Sequence, residues 1–504
     1  RDIPARRRRL QGTVLTLPIR RGLSTGEEVV VEIDWSHKVP DGGGAPRTGQ
    51  TDGHEFFLAY WYPQVAVCED VRGWVADPYL GPGEFYMEHA DYELALTLPA
   101  GFLVQATGRL VNADEVLPTA VLGRLKQAAD SRTRVEIVRK EDLEAGTATR
   151  TGNEDGLLTW RFRAEQVRDL SVALSDRYVW DAMACASEAT TAAGGTLAQA
   201  FYRPEMRGWD RAAEFAQHAI EWMAGRVGAY PWPHMSVIEG AAGGGMEFPM
   251  MTLIGMEGEA ATLQYVVCHE TIHMWFPMMV GSDEKSWGFM DEGITTFLQQ
   301  LCQDAFFERD NHHRSYFARW RRRAPSAELT ICSCHADRFP LDTPDLGDAV
   351  YTKPCVALHQ LRFLLGDEIF FRALRGYFEE WNGRHPHPID LYRAFSRLAG
   401  QDLAWYFQIW FEENWYLDTA IAQVETDATG TTVTLEDRGR AFHPTVVDAE
   451  FPGGRHERQS VPVSVWGAGV RRTTVRFEGF PRRFQLDPDD HNLDVDRSND
   501  AWPR

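Results

Sequence analysis

Two histidines and a glutamate near the middle of the chain have the spacing of a metal site. The sequence from His269 to His273 reads H-E-x-x-H within a segment that reads as a helix. Side chains four residues apart lie on the same helical face, so both imidazoles can reach one metal ion while Glu270 stands beside it. The residue types predict a zinc site, although so short a pattern arises by chance in roughly a few per cent of chains of this length.

A third ligand is required, because catalytic zinc is held by three protein side chains and keeps one position for water. Glu292 stands eighteen residues beyond His273, which leaves room for a helix end, a loop and the start of a second helix. The sequence from Met290 to Ile294 opens that helix with acids in its first turn, as the helix dipole favours. We therefore predict that His269, His273 and Glu292 bind one zinc ion per chain.

This arrangement resembles the gluzincin aminopeptidase family, which includes aminopeptidase N and the leukotriene hydrolase. Two further motifs agree with the H-E-x-x-H pattern and the distant Glu. Gly244-Gly245-Met246-Glu247 resembles the exopeptidase motif G-x-M-E-N of the family, and Val350-Tyr351-Thr352-Lys353 lies where the family has its catalytic tyrosine. The resemblance is strongest from about Tyr230 to Trp410.

The resemblance implies a role for each of these side chains. Bound zinc would lower the pKa of a water molecule and polarise the scissile carbonyl. Glu270 would take the proton of that water and pass it to the leaving amine, and Tyr351 would donate a hydrogen bond to the oxyanion. Glu247 would bind the free α-ammonium of a peptide. The run Ala241–Gly245, followed by Met246, would let backbone approach the substrate closely.

Two positions depart from the family pattern. Phe248 stands where the family usually has Asn after Met-Glu, which bears on amine recognition and side-chain preference. Gln299, seven residues after Glu292, stands where the family often has a Glu that orients a zinc histidine. A Gln can accept the same hydrogen bond but contributes no charge. Neither departure removes a predicted zinc ligand.

Three functions are compatible with these residues. The predicted function is removal of N-terminal residues from peptides with a free amino end. A thermolysin-type endopeptidase would use the same chemistry without an amine anchor, and only it should cut a peptide with a blocked amino end efficiently. A catalytically silent binding scaffold of the same fold is the third reading, which metal analysis would test.

The patterning along the chain predicts a multidomain α+β protein. Residues 1–184 are interpreted as an N-terminal antiparallel β domain, residues 185–417 as a thermolysin-like, mainly helical zinc peptidase domain, and residues 418–504 as a small C-terminal β-sandwich. Predicted strands are Val29–Ile33, Tyr92–Leu98, Leu158–Phe162, Ile421–Val424, Thr432–Leu435 and Thr474–Phe477. Predicted helices cover about Asp210–Met223, Tyr265–Met274, Glu292–Ala305, Pro354–Leu365 and Glu368–Trp381.

Composition limits the partners. The 504 residues carry a net charge of -21, which opposes binding to nucleic acid or to anionic lipid. The sequence has no window of about 18 apolar residues, so no transmembrane helix is predicted. The short basic runs Arg6–Arg9 and Arg321–Arg323 are interpreted as solvated faces. An oligomer is compatible with the sequence.

The cysteines and the start of the chain give little further direction. Seven scattered cysteines do not form the dense, even pattern of a disulfide scaffold. Cys332, Cys334 and His335 form a C-x-C-H cluster that could hold a metal, but no second pair accompanies it, so a loop is predicted. The chain begins at Arg1 without Met, which favours an extracytoplasmic location after removal of a signal and leaves a cytoplasmic one open.

Overall fold

The computed structural model describes residues 3–4, 7–19, 21–41, 47–240, 244–325, 330–339 and 344–503. The chain divides into two compact units, Arg1–Glu221 with Ala229–Met274 and Trp222–Gly228 with Trp275–Arg504. None of the helices in the described ranges combines the length and the apolar character that crossing a membrane requires.

The first unit is built mainly from strands. They are β1 (Arg9–Gln11), β2 (Val14–Thr16), β3 (Thr48–Thr51), β4 (Glu55–Leu58), β5 (Val67–Glu69), β6 (Gly73–Val75), β7 (Ala90–Pro99), β8 (Leu103–Ala106), β9 (Arg109–Leu110), β10 (Val135–Val138), β11 (Leu157–Val167), β12 (Val172–Ser175), β13 (Val179–Ala184), β14 (Leu197–Tyr202), β15 (His234–Glu239), β16 (Gly245–Phe248) and β17 (Met251–Ile254). The helices are α1 (Ala113–Val116), α2 (Thr119–Ala129), α3 (Lys140–Glu144), α4 (Ala212–Ala224), which belongs to this unit as far as Glu221, and α5 (Ala260–Ile272).

The largest sheet of the first unit has the order β10-β13-β14-β15-β17-β16. It is mixed, because β14 pairs parallel with β15 and β15 parallel with β17, while the other neighbours are antiparallel. The remaining sheets, with the orders β1-β2, β3-β4-β12-β8, β5-β6 and β7-β11-β9, are antiparallel. The boundary predicted after residue 184 falls between the paired strands β13 and β14, and the three-domain division stays a prediction.

The strand predictions for this unit are confirmed in two cases and wrong in one. Tyr92–Leu98 lies in β7 and Leu158–Phe162 in β11, and these two strands pair along most of their length. Val29–Ile33 forms no strand, and the side chain of Val30 is 83% exposed. A strand is stable when its backbone N–H and C=O groups pair with a neighbour, and apolar, β-branched sequence alone does not supply that neighbour.

The second unit begins with helices and ends with strands. Its helices are α6 (Glu284–Trp287), α7 (Glu292–Phe306), α8 (His312–Arg323), α9 (Pro344–Gly347), α10 (Lys353–Leu365), α11 (Asp367–Trp381), α12 (Pro388–Ala399), α13 (Ala404–Phe407) and α14 (Val463–Gly467), with π-helical turns at Asp348–Thr352 and Gln408–Glu412. Its strands are β18 (Thr419–Thr426), β19 (Gly430–Asp437), β20 (Thr445–Glu450), β21 (His456–Val461), β22 (Arg472–Glu478), β23 (Arg483–Leu486) and β24 (Ala501–Trp502).

The predicted helices are confirmed, with ends that move by a few residues. They correspond to α4, α5, α7, α10 and α11, and α5 ends at Ile272, so that His273 is its C-cap residue. Helix α5 is apolar around most of its circumference, as is typical of a helix buried on several sides. Leu263, Val267 and Ile272 are all buried, which fixes the helix that carries the paired histidines.

The C-terminal strands form two antiparallel sheets, β18-β19-β22 and β21-β20-β23-β24. The three strands predicted here lie in β18, β19 and β22. Buried apolar side chains from both sheets, including Val433, Phe477 and Phe484, belong to one cluster. This segment therefore has its own apolar core.

The interpretation of Arg321–Arg323 as a solvated face is wrong for two of the three residues. Arg321 donates to Asp490 Oδ1 at 2.5 Å and to the carbonyls of Asn492 and Asp494. Arg323 is ion-paired as well, whereas Arg322 is exposed. The acidic partners lie far away in sequence, so the run itself does not reveal them. In the first basic run Arg7, Arg8 and Arg9 are exposed as expected, and Arg6 lies outside the described residues.

A buried carboxyl makes the stability of the C-terminal segment depend on pH. Asp500 is 1% exposed and lies 2.8 Å from Arg497. Burial and the negative charges of Asp494 and Asp487 raise the pKa of Asp500 to about 8, although Arg497 opposes this. In the unfolded chain the pKa of Asp is near ~3.9. The folded protein therefore retains this proton over an interval in which the unfolded chain has lost it, and the resulting stability disappears as the pH rises through about 8.

Asp500→Asn removes this titration. We expect the free energy of unfolding of the variant, relative to the native sequence, to increase by roughly 1–3 kcal/mol between about pH 6 and about pH 9. Urea denaturation of both proteins at the two pH values measures the difference. A difference that stays constant, or that shrinks at high pH, would contradict a raised pKa at this position.

Candidate functional site

Helix α5 brings the two predicted zinc histidines together. The Nε2 atoms of His269 and His273 are 3.1 Å apart, with the ring planes at 85° to each other. Two imidazole nitrogens bound to one tetrahedral zinc, each at about 2.05 Å, are separated by about 3.3 Å. Both nitrogens thus already lie close to the separation that a shared ion imposes. His273 is fully buried, so the surrounding protein fixes its ring position.

The edge strand β16 lies against this part of α5. A Cβ atom at Gly245 would overlap the carboxylate of Glu270, which would have to move if any other residue stood there. Gly244, just before it, has a φ of +113°, a conformation that other residues rarely adopt. Glycine at these two positions therefore suits the observed place of Glu270 and the local backbone. Ala241, Ala242 and Gly243 lie outside the described residues.

Glu247 lies on the same face of β16 as Gly245, because side chains alternate along a strand. Three buried residues come together here, namely Glu247, Glu270 and His273. Each offers one possible ligand atom, and these atoms lie within 4.8 Å of one another. Glu247 Oε1 is 3.9 Å from His273 Nδ1, which is too long for a hydrogen bond. The strand thus places the predicted amine anchor beside the helix that carries the predicted base.

The other face of β16 belongs to the core. Met246 is 4% exposed and Phe248 is fully buried, with the Phe248 ring 5.0 Å from that of Phe57. Phe248, which stands where the family usually has Asn, therefore packs among apolar side chains on the opposite face of the strand from Glu247. The side chain of Met246 likewise packs in the core. If Met246 binds substrate, as predicted, it would do so through its backbone.

Two charged residues near Glu247 were not found from the sequence. A carboxylate oxygen of Glu84 lies within 4.8 Å of one of Glu247, and Arg47 is paired with Glu84 at 2.5 Å. Burial lowers the pKa of Arg47, but the charges of Glu84 and, more weakly, Glu247 raise it above its ordinary value. No spacing in the sequence connects these three residues, which are far apart along the chain.

The remaining predicted site residues, Glu292 and Tyr351, belong to the second unit. Glu292 is the first residue of α7 and is 7% exposed. The Tyr351 hydroxyl donates a hydrogen bond to Glu292 Oε1 at 2.5 Å. The carboxylate predicted to bind metal and the tyrosine predicted to stabilise an oxyanion are therefore in direct contact.

Close packing between two helices explains this contact. A Cβ atom at Gly293 would overlap the ring of Pro354, near the start of α10. The missing side chain lets the start of α7 approach the π-helical turn Asp348–Thr352, on which Tyr351 lies. Single π-helical turns within helices are frequent at functional sites, because they redirect a side chain. The side chain of Tyr351 is 37% exposed and thus accessible to solvent.

Two other sequence features have structural settings of their own. Gln299 is fully buried in α7, and its Nε2 lies 3.4 Å from Gln303 Oε1. Cys332, Cys334 and His335 do not form a metal-binding group within the described residues. His335 Nδ1 accepts a hydrogen bond from the backbone of Asp337, as is typical of a capped turn. The interpretation of C-x-C-H as a loop agrees with this arrangement.

Comparison with known proteins gives one consistent family. The model of the peptidase family M1 domain matches residues 211–410. The chain is 26% identical over 183 residues to aminopeptidase N of Streptomyces lividans, covering 35% of this chain and 21% of that protein. It is 27% identical over 210 residues to aminopeptidase N of Lactococcus lactis subsp. lactis, covering 37% and 24% respectively. The matched regions therefore span less than a quarter of either relative.

A solved structure extends the likeness of the fold. The crystal structure of Legionella pneumophila aminopeptidase A in complex with aspartic acid superimposes with a TM-score of 0.60 and 13% sequence identity. The superposition covers 89% of this chain and 48% of that one. At this identity the likeness concerns the fold alone.

Zinc binding tests the paired histidines directly. We expect one zinc ion per chain and a loss of zinc affinity of at least about a hundredfold in His269→Ala, because a ligand is removed outright. Competition with a chromophoric chelator measures the affinity. His335→Ala, in the alternative C-x-C-H cluster, is the control and should leave stoichiometry and affinity unchanged. Loss of zinc in the control, with His269→Ala unaffected, would move the metal site to that cluster.

Proposed function

The chain contains a peptidase family M1 domain at residues 211–410, and from this we propose that it is a zinc-dependent aminopeptidase that removes the N-terminal residue of peptides. The observation that carries the proposal is the 3.1 Å separation of the Nε2 atoms of His269 and His273, with the Glu270 carboxylate packed against Gly245 beside them. Two imidazoles this close, with a carboxylate beside them, support a catalytic zinc site that has its base nearby.

His269, His273 and Glu292 would hold one zinc ion, in a set of two imidazoles and one carboxylate that suits this metal. Zinc bound there would act as a Lewis acid toward the scissile carbonyl and toward a water molecule. Glu270 would not bind the ion, and its carboxylate lies close to the backbone of Gly245 on β16.

Glu270 would transfer the protons of the reaction. Glu270 is 5% exposed and directly follows His269, so its carboxylate could accept a proton from the attacking water. The same oxygen would then deliver that proton to the nitrogen of the leaving amine. A buried carboxylate suits both steps, because low solvent access removes competing water and strengthens each hydrogen bond.

Tyr351 would stabilise the oxyanion of the tetrahedral intermediate. Tyr351 is partly exposed to solvent, and its hydroxyl donates a hydrogen bond to Glu292. To act on the substrate it would exchange the carboxylate for the oxyanion as its acceptor. A preorganised donor of this kind typically lowers a barrier by roughly 3–4 kcal/mol.

Glu247 would distinguish an aminopeptidase from an endopeptidase by binding the α-ammonium of the substrate. Its carboxylate is buried near His273, and a carboxylate oxygen of Glu84 lies within 4.8 Å of it. Carboxylates are the side chains that pair with an ammonium group, so a cationic substrate group suits this place. A charge-assisted hydrogen bond to a terminal ammonium would set the cut one residue from the end of the chain.

Glu270→Gln tests the assignment of the base. We expect kcat for aminoacyl anilides to fall by at least about a hundredfold while zinc is retained, because Gln keeps the shape but cannot accept the proton. Turnover of native protein with and without a chelator, together with metal analysis of the variant, gives the comparison. Glu259→Gln, an exposed position just before the same helix, is the control. Full activity in Glu270→Gln would mean that another group is the base.

Glu247→Ala tests the amine anchor. We expect kcat/KM on substrates with a free amino end to fall about ten- to a hundredfold, through loss of hydrogen bonds to a charged group. Matched peptides with an acetylated amino end show whether the effect is selective, and Glu257→Ala serves as an exposed control. An equal loss on both substrates would count against the anchor. Efficient cleavage of the acetylated peptides by native protein would favour the endopeptidase.

A further inference from the structure

The turn that carries Tyr351 is held by arginines of a neighbouring helix. Asp348, the first residue of the π-helical turn, accepts from Arg323 Nε at 2.6 Å and from Arg319 Nη2 at 3.3 Å. Arg323 also reaches Asp345 Oδ1 at 2.8 Å, one turn earlier. Arg319 and Arg323 are four residues apart on α8 and thus lie on one face of that helix.

Helix α8, which carries these arginines, is itself held in place by buried side chains. Phe317 and Trp320 are fully buried on its inner side. The Trp320 ring also lies 6.0 Å from the ammonium of Lys353, the first residue of α10, and Lys353 donates to the carbonyl of Glu413. The helix therefore contacts the π-helical turn at Asp348 and the residue that directly follows it, with Tyr351 between the two contacts.

The π-helical turn needs such contacts. Helix α9, the turn Asp348–Thr352 and α10 follow one another without a break, so the turn is a bulge in a continuous helix. A π-helical turn is rare because the α-helix is the more stable arrangement. Relaxation of the bulge would change the register by one residue, and each residue of an α-helix rotates by about 100°. Tyr351 would then point in a different direction.

Asp348 is buried, so its carboxylate depends on the arginines for stabilisation. Its side chain is 2% exposed, so its carboxylate is stabilised by its ion pairs and by little solvent. Loss of one partner leaves a buried charge only partly compensated, which is more unfavourable than loss of an exposed ion pair. The aspartate would then be driven toward solvent, and the turn with it.

We propose that Arg323, supported by Arg319, is a positioning residue for Tyr351: its ion pairs with Asp345 and Asp348 keep the helix in the π register that holds the tyrosine hydroxyl at Glu292. The inference rests on the proposed function in one respect, that Tyr351 takes part in catalysis. It also assigns a purpose to the basic run Arg321–Arg323, whose three members have different surroundings.

Those three consecutive arginines supply the variant and its controls. Arg323→Gln is expected to lower kcat roughly tenfold or more, with KM within about twofold, because a donor to the oxyanion is misplaced. Arg322→Gln, at an exposed position, should change neither kcat nor the melting temperature. Arg321→Gln removes contacts with the C-terminal segment, so it should lower the melting temperature and leave kcat unchanged. A loss of kcat in all three variants would indicate a general structural effect and overturn the proposal.

A double-mutant cycle separates positioning from folding. If Arg323 acts through Tyr351, then Arg323→Gln should have no further effect on kcat when Tyr351 is already Phe. An undiminished effect in the Tyr351→Phe background would overturn the proposal. Arg323→Lys, which keeps the charge and can pair with one carboxylate at a time, should restore part of kcat. A melting temperature lowered in Arg323→Gln with kcat intact would likewise overturn it.

A crystal structure of Arg323→Gln tests the inference without turnover. The Tyr351 hydroxyl is expected to have left Glu292 Oε1, and the segment Asp348–Thr352 to have lost its π-helical hydrogen bonds. A hydroxyl that still donates to Glu292 would overturn the proposal, whatever the activity of the variant. If native protein hydrolyses no peptide substrate, the proposed function fails on its own, and this structure still decides the positioning role.

Discussion

Two imidazole nitrogens held 3.1 Å apart on a buried helix are the interaction on which the rest of the molecule depends. At this distance one imidazole N–H can donate to the ring nitrogen of the other, and the same two nitrogens are close to the separation that a shared zinc ion requires. Here the surrounding structure includes the mixed sheet that ends in β16 and the apolar neighbours of α5. The fold of the first unit thus holds the two imidazoles side by side on one helix, with both Nε2 atoms turned toward each other.

Much of the fold could be predicted from local patterns. Long runs of regularly spaced apolar residues indicate the helices α5, α7, α10 and α11. Apolar and polar residues alternate clearly along β7 and β11. Val29–Ile33 shows where this fails. Its residues are as β-branched as those of a true strand, but strand formation depends on a partner elsewhere in the chain. Pairing of β13 with β14, across a predicted domain boundary, is non-local in the same way.

In the candidate site, too, contacts within one element could be predicted from the sequence, and contacts between distant residues could not. Helical period alone brings His269 and His273 together, because both lie on one element. The contact between Tyr351 and Glu292 was predictable only through a family resemblance, since nothing in the spacing of 59 residues implies it. Arg47 and Glu84 beside Glu247, and the arginines beside Asp348, carried no signal at all. Ion pairs form between residues that the fold brings together, and charged residues are too common for sequence to identify the partners.

The ties of helix α8 have a consequence for how this protein would respond to heat. Arg321 fastens the helix to carbonyls and a carboxylate of the C-terminal segment, while Arg323, two residues later, fastens it to the turn beneath Tyr351. Melting of the C-terminal sheets would release α8 on the Arg321 side and leave its ion pairs with the turn through Arg323 in place. The C-terminal segment, which contains none of the proposed catalytic residues, would then unfold before activity is lost.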